Sequence, residues 1–379
     1  MNNNIQISSA FDSGNINVIA CEEPKNIQLE INIDKDSEYY QWFHFKLHNK
    51  IHTEHVLTIT NAGQSAYVEG WKDYQAVASY DRVNWFRVPT TFDGQNLVVT
   101  VTPECDSMYF AYFAPYSYER HQDLIHQSQL DNLCQLDVLG QTLDGRDMSL
   151  LQVGEPTEGK MNIWLTARQH PGETMAEWFM EGFINRLLDE DDGAARALLN
   201  KAVFFLVPNM NPDGSYRGHL RTNAAGVNLN REWQNPSMER SPEVFLVREK
   251  MLEVGVDMHL DIHGDEALPV NFVAGCEGIP SYDARHKALE EQFKQVLLAI
   301  TPEFQDERGY DKDEPGKANL TVGSNWVGEQ FKCLAYTVEM PFKDNDLLPD
   351  PMVGWNDSRS SLLGRDMLSA IYNVVDDLR

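Results

Sequence analysis

The sequence predicts an α/β protein: a mixed, mostly parallel sheet flanked by helices, preceded by an antiparallel β-sandwich. Three observations lead there. From Ile16 to about Ala114 short strands follow one another with no long helical period between them. After Pro115-Tyr116-Ser117 apolar strands alternate with amphipathic helices, the pattern of a sheet covered on both faces. The chain has 379 residues, more than one hydrophobic core usually supports. We therefore divide it into a β-sandwich at 1–115 and an α/β domain at 116–379.

In the first part, alternation marks Ile27-Leu29-Ile31-Ile33, Phe43-Phe45-Leu47, Val56 to Thr60 and Leu97 to Val101. Asn61-Ala62-Gly63 and Phe92-Asp93-Gly94 supply turns between strands. In the second part, Met161 to Ala167 is an apolar strand that runs towards His170. Thr174 to Leu188 follows with apolar residues at helical spacing, and Ala202 to Pro208 is the next strand. A helix over Pro242 to Val254, a strand over Val256 to His263 and a helix over Tyr282 to Ile300 come next. A strand over Cys333 to Val338 and a helix near Asp357 to Asp377 close the series.

Fifty-eight acidic against 31 basic residues give a formal charge of −27, which disfavours phosphate backbones and anionic lipid surfaces as partners. Met1 to Asn4 carry neither a basic nor an apolar leader, and no stretch of about 18 apolar residues occurs, so we expect a soluble cytoplasmic protein with no membrane contact. The five cysteines are odd in number and lack a Cys-x-x-Cys pair. They are expected as reduced, mostly buried thiols.

Four short motifs carry the chemistry: His170-Pro171-Gly172-Glu173, Asn230-Arg231, Asp261-Ile262-His263-Gly264 and Thr337-Val338-Glu339. Any one alone is weak, since a lone His-x-x-Glu is commonly a surface pair or a helix cap. Together, two histidines and a carboxylate are the ligand types that leave a catalytic zinc one open position, which makes His170, Glu173 and His263 the candidate ligands. Asp261 shares a strand face with His263 and could accept its free ring N–H, while His259 reads as a buried, satisfied histidine. Glu339 emerges at the end of an apolar strand, where a carboxylate could act as general base and then acid. Arg221, Asn230 and Arg231 lie in a polar loop from Asn209 to Arg231, and a guanidinium is a suitable partner for a substrate carboxylate.

These residues, in this order, resemble the zinc carboxypeptidases of the carboxypeptidase A superfamily, and more closely their cytosolic carboxypeptidase branch. The resemblance spans roughly Pro115 to Arg379, and the preceding sandwich resembles that branch too. It implies one zinc ion (Zn2+) held by His170, Glu173 and His263, with Glu339 as catalytic acid/base. It further implies that Asn230 and Arg231 grip the C-terminal carboxylate of a peptide or protein substrate and that Arg221 steadies the oxyanion. Three positions depart from the family pattern. Asn228 replaces the usual aspartate behind the first zinc histidine; Ser324 stands where the cytosolic branch has a basic residue suited to acidic side chains; and Lys317 replaces the tyrosine of pancreatic-type members. Two other functions use similar parts: a zinc amidohydrolase acting on N-acyl amino acids, and a peptide-binding module without catalysis.

Overall fold

The computed structural model describes residues 5–48 and 51–379; Met1 to Asn4, read above for a leader, lie outside the described residues. Ten strands come first: β1 (Gln6–Ser8), β2 (Asn17–Ala20), β3 (Ile27–Glu30), β4 (His44–His48), β5 (His55–Ile59), β6 (Val77–Ser79), β7 (Phe86–Arg87), β8 (Thr90–Phe92), β9 (Leu97–Val101) and β10 (Ser107–Ala111). They form two five-stranded sheets, ordered β1-β4-β10-β6-β7 and β2-β3-β5-β9-β8. Alternate residues of β3, β5 and β9 are buried, and they share one apolar cluster with Phe45, Leu47 and Phe110 of the other sheet. The pairing is antiparallel with one exception, since β3 runs parallel to β5. Between them the chain crosses to the other sheet to form β4 and returns in its original direction. The expected strand through Ile33 stops at Glu30, because the Ile31 amide is taken by the Asn61 side chain at 3.0 Å and Ile33 is exposed.

Beyond Ser117 come α1 (Tyr118–Ser128), β11 (Cys134–Gln141), β12 (Asp147–Val153), β13 (Met161–Ala167), α2 (Met175–Leu187), α3 (Gly193–Leu199), β14 (Ala202–Val207), α4 (Pro212–Arg217) and α5 (Pro242–Val254). They are followed by β15 (Met258–Asp265), β16 (Phe272–Ala274), α6 (Ala284–Ile300), α7 (Gly323–Phe331), β17 (Leu334–Pro341) and α8 (Asp357–Val374). The seven strands form one sheet ordered β11-β12-β14-β13-β15-β17-β16. Its four central strands are parallel, while β11, β12 and β16 are antiparallel.

Side chains of the central strands separate by period two onto the two faces. Ile163, Leu165 and Ala167 of β13 join a core with α2, α6 and α8, whereas Trp164 joins a second core with Val247 and Met251 of α5 and Val327 of α7. The first core is continuous with that of the N-terminal sheets. Tyr112 stacks on Phe342 at 4.5 Å, and the Arg87 guanidinium donates to the carbonyls of Phe342, Val353 and Trp355 at 2.8, 3.2 and 2.9 Å. Among the described residues no helix is long and apolar enough to cross a membrane. Cys134, Cys276 and Cys333 are buried.

Candidate metal centre and active site

The loop after β13 is bent by Arg168, whose φ of 58° lies in the left-handed region seldom used by residues with a Cβ. Its buried guanidinium donates to Pro171 O at 2.9 Å, Tyr116 O at 2.9 Å and Glu177 Oε2 at 2.5 Å. Glu177 also meets His121 Nδ1 at 2.6 Å and Asn209 Nδ2 at 3.1 Å. A charged pair this deep survives only when its hydrogen bonds are met, and here they tie α1, α2 and the loop after β14 around residues 168–173. Glu173 lies two residues before α2, and the chain passes close under Leu220 at Gly172, where a Cβ would stand 3.0 Å from Leu220 O.

His170 Nδ1 lies 2.6 Å from Glu173 Oε1 and His263 Nδ1 lies 2.8 Å from Glu173 Oε2. The three ligand atoms fall within 4.8 Å of one another, and all three residues are buried. The far ring nitrogens are also engaged. His170 Nε2 meets Asn228 Oδ1 at 3.1 Å, so the amide oxygen accepts the ring N–H that an aspartate would otherwise take. His263 Nε2 lies 2.9 Å from Asp261 Oδ2, a close ionic contact outside hydrogen-bond alignment. Both rings thus direct Nδ1 inward and Nε2 outward, an arrangement suited to metal binding with outer-shell support.

Electrostatics point the same way. Burial, with Arg221 adding to it, pushes His170 down to about 4 and keeps its ring neutral, the form that ligates. Burial opposes charge on His263 as well, but the carboxylates of Asp261 and Glu173 outweigh it and hold its pKa well above the ordinary value. The carboxylates of Asp261 and Glu173 favour positive charge at His263, and two imidazoles with a carboxylate are a donor set that fits a divalent zinc.

The residues beneath the ligands differ from expectation in detail. Asp261 accepts from Thr166 Oγ1 at 2.8 Å and from Gln169 Nε2 at 2.5 Å; His259, expected to be satisfied, meets Thr166 Oγ1 through Nε2 at 2.9 Å while its buried Nδ1 has no partner. Gly264 makes room for Met175, whose sulfur would lie 2.4 Å from an added Cβ, and its amide donates to Glu173 Oε2 at 3.1 Å.

Glu339 reaches the same place by register. Strands β15 and β17 run on to Asp265 and Pro341 because those ends pair with each other, so His263 and Glu339 are in-strand neighbours rather than strand ends. Glu339 is buried; its Oε1 accepts from the Tyr310 hydroxyl at 3.1 Å, and its Oε2 has no protein partner. Burial raises its pKa well above the ordinary carboxylate range, so proton uptake is favoured. The single hydrogen of the Tyr310 hydroxyl is shared with Asp265 Oδ2, 2.8 Å away. Sequence spacing pointed to Lys317 for a tyrosine position, yet Lys317 is exposed and does not line the cleft. Offsets counted through a loop do not convert into positions in space, and no motif marks Tyr310.

The polar loop 209–231 is partly ordered as α4 and as a 3-10 turn at Leu229–Arg231. Asn230 Oδ1 accepts from Gly323 N at 2.8 Å, which leaves its Nδ2 as the group available to an anion. Arg231 is anchored by Nη1 on its neighbour's carbonyl, Asn230 O, at 2.5 Å. Arg221 lies beside the rings of Tyr39 and Tyr67, 5.6 and 5.3 Å from their centroids. His170, Glu173, Arg221, Asn230, Arg231, Ser324 and Glu339 line one cleft of about 590 Å³, with His263 directly beneath it. Ser324 is bonded to Thr337 by their hydroxyls at 2.8 Å. Glu266, which no motif singled out, lines the same cleft with its carboxyl pushed well up by burial.

A mixed sheet carrying at its strand ends and loops a buried His/Glu/His niche, an adjacent carboxyl and nearby arginine and asparagine side chains has the features of a metal-dependent hydrolytic enzyme. Residues 124–353 match the family described as zinc carboxypeptidase, and residues 7–113 match the cytosolic carboxypeptidase N-terminal domain. The chain belongs to the zinc carboxypeptidase family and is a peptidase. A solved Shewanella denitrificans structure named for carboxypeptidase A is 56% identical, with a TM-score of 0.97 over 98% of this chain and 99% of that one. A metallo-carboxypeptidase from Pseudomonas aeruginosa, solved with (2-guanidinoethylmercapto)succinic acid, is 50% identical, with a TM-score of 0.97 over 99% and 100% of the two chains. Cytosolic carboxypeptidase 2 of Xenopus tropicalis is 30% identical over 310 residues, 73% of this chain but 32% of the longer relative.

Proposed function

We propose that this protein is a zinc metallocarboxypeptidase that removes C-terminal residues from peptides or proteins. The observation that carries the reading is the convergence of His170 Nδ1, the Glu173 carboxylate and His263 Nδ1 beside the register-paired Glu339. These three residues would hold the zinc, which when bound supplies a Lewis acid and an acidified water. Asn230 Nδ2 and the Arg231 guanidinium receive the substrate's terminal carboxylate, fixing which bond lies over the niche. Arg221 donates to the carbonyl oxygen as negative charge develops there. Glu339 takes a proton at Oε2 and returns it to the departing amine, while Tyr310 holds Oε1.

Ser324 and Thr337 present uncharged hydroxyls to the cleft, so we assign no preference for acidic C-terminal residues. We further propose a cytoplasmic enzyme, on the strength of its cytosolic relatives, divided at 115/116. The test is metal analysis together with a C-terminal peptide library. One zinc per chain with stepwise loss of C-terminal residues is expected. A fully loaded protein that ignores peptides and cleaves N-acyl amino acids would instead establish the amidohydrolase, and one that binds peptide C-termini without turnover would establish the binding module.

A further inference from the structure

We propose that Asp34, in the segment between β3 and β4, is a positioning residue for Arg221, which makes the N-terminal sheets a working part of the active site. The inference rests on the reading of Arg221 as the oxyanion donor. Asp34 is 2% exposed, and its carboxylate accepts from three consecutive backbone amides: Leu220 N at 2.7 Å, Arg221 N at 2.8 Å and Thr222 N at 3.0 Å. The Thr222 hydroxyl adds a fourth bond at 3.1 Å. A carboxylate accepting several amide N–H bonds is held more strongly than a neutral acceptor would be, and it fixes the backbone on both sides of Arg221.

The surroundings extend this grip. Asn15 Nδ2 donates to Gly218 O at 2.8 Å, Ser13 N to Tyr216 O at 2.9 Å, and Lys35 N to His219 Nε2 at 3.2 Å. Gly218, with φ of 70°, is packed so closely that a Cβ would lie 2.7 Å from Ser13 O. The Arg221 guanidinium, whose Nε has no hydrogen-bond partner, is flanked by the rings of Tyr39 and Tyr67, both from the N-terminal region. An oxyanion donor is effective only if it is already in place when charge develops. Arg221 sits in a loop, yet residues far away in sequence hold its backbone and flank its guanidinium.

The test is a double-mutant cycle on the zinc-loaded, full-length enzyme: Asp34→Asn, Arg221→Ala and the two combined, each with zinc content, thermal melting, kcat and KM measured on one peptide. Misplacement of a catalytic group by about 1 Å costs on the order of 100-fold, so Asp34→Asn should lower kcat by about 10- to 100-fold, with zinc content and KM essentially unchanged. In the Arg221→Ala background it should cost nothing further. The same loss of kcat in both backgrounds, or a raised KM with kcat intact, overturns the proposal and leaves the role of Arg221 standing. Full kcat in Arg221→Ala alone removes the oxyanion reading itself, before Asp34 is altered. If Asp34→Asn does not fold, Thr222→Val, which removes the hydroxyl's bond to Asp34 and its long contact with His219 Nδ1 but keeps the three amide bonds, is read on the same cycle. A kcat loss confined to enzymes that keep Arg221 supports the proposal; no loss, or an equal loss in both backgrounds, overturns it.

Discussion

His263 and Glu339 reach the cleft from neighbouring parallel strands, whereas Arg221, Asn230 and Arg231 reach it from a loop. The strand wall is held by a backbone ladder in which His263 pairs with Glu339, so the spacing of metal niche and carboxyl is inherited from sheet register. The loop wall has no ladder. It relies on asparagines that bond back to their own backbone, with Asn211 accepting from Gly214 N, Asn223 from Ala225 N and Val227 N, and Asn228 from Asn230 N. It relies as well on the N-terminal sheets pressed against it. A sheet can set distances by itself, while a recognition loop needs a second body to hold it.

Breaking the strand wall should have the largest effect. Glu339→Gln keeps the shape of the side chain but removes its basicity, and we expect kcat to fall by about 10² to 10⁴ with zinc retained. Activity within tenfold of the parent in steady-state assays would remove the proton-transfer role. Breaking the loop wall comes next. Arg221→Ala should lower kcat by about 10² to 10³ through loss of one oxyanion donor, with KM for the peptide much less affected.

Asn228 joins the walls, since this loop residue accepts the outward N–H of His170. Asn228→Ala should weaken zinc binding by about 10- to 100-fold, measured by competition with a chromophoric chelator; an unchanged affinity would mean that the loop wall contributes nothing to the niche.

The smallest and most general effect concerns pH. Glu243, at the start of α5, is fully buried against Asn223, and burial pushes its pKa up from 4.5 to about 8. Between those values the folded protein holds a proton that the unfolded chain releases. The group's contribution to stability is therefore complete below about pH 4.5, declines as pH rises towards about 8, and is level above that. Glu243→Gln should flatten this part of the melting-temperature profile, with its advantage over the parent growing from pH 5 to pH 8. Parallel profiles for the two proteins would show that Glu243 is not the titrating group.

Legibility followed the physics of each segment. The expected bounds of β13 and α5 coincide with those observed, because an unbroken apolar run and a Pro-initiated helical period leave few alternatives. The hairpin β11–β12 went unread: β11 is a half-exposed edge strand of mixed polarity, and β12 is buried almost throughout and so does not alternate. The parallel pairing of β3 with β5 depends on where β4 goes, which no local pattern encodes.

By itself the sequence determined which residue types stand at strand and loop positions: the two histidines, the carboxyls, and the asparagine and arginines of the polar loop, together with the change from short alternating strands to alternating strands and helices. Only the tertiary structure decided that Tyr310 meets Glu339, that Arg168 and Glu177 fasten the His170 loop, and that Asp34 seats Arg221 across 187 positions of chain. Periodicity and motif spacing are local, whereas a buried carboxylate finds its donors wherever folding brings unsatisfied N–H groups, and that is settled by packing alone.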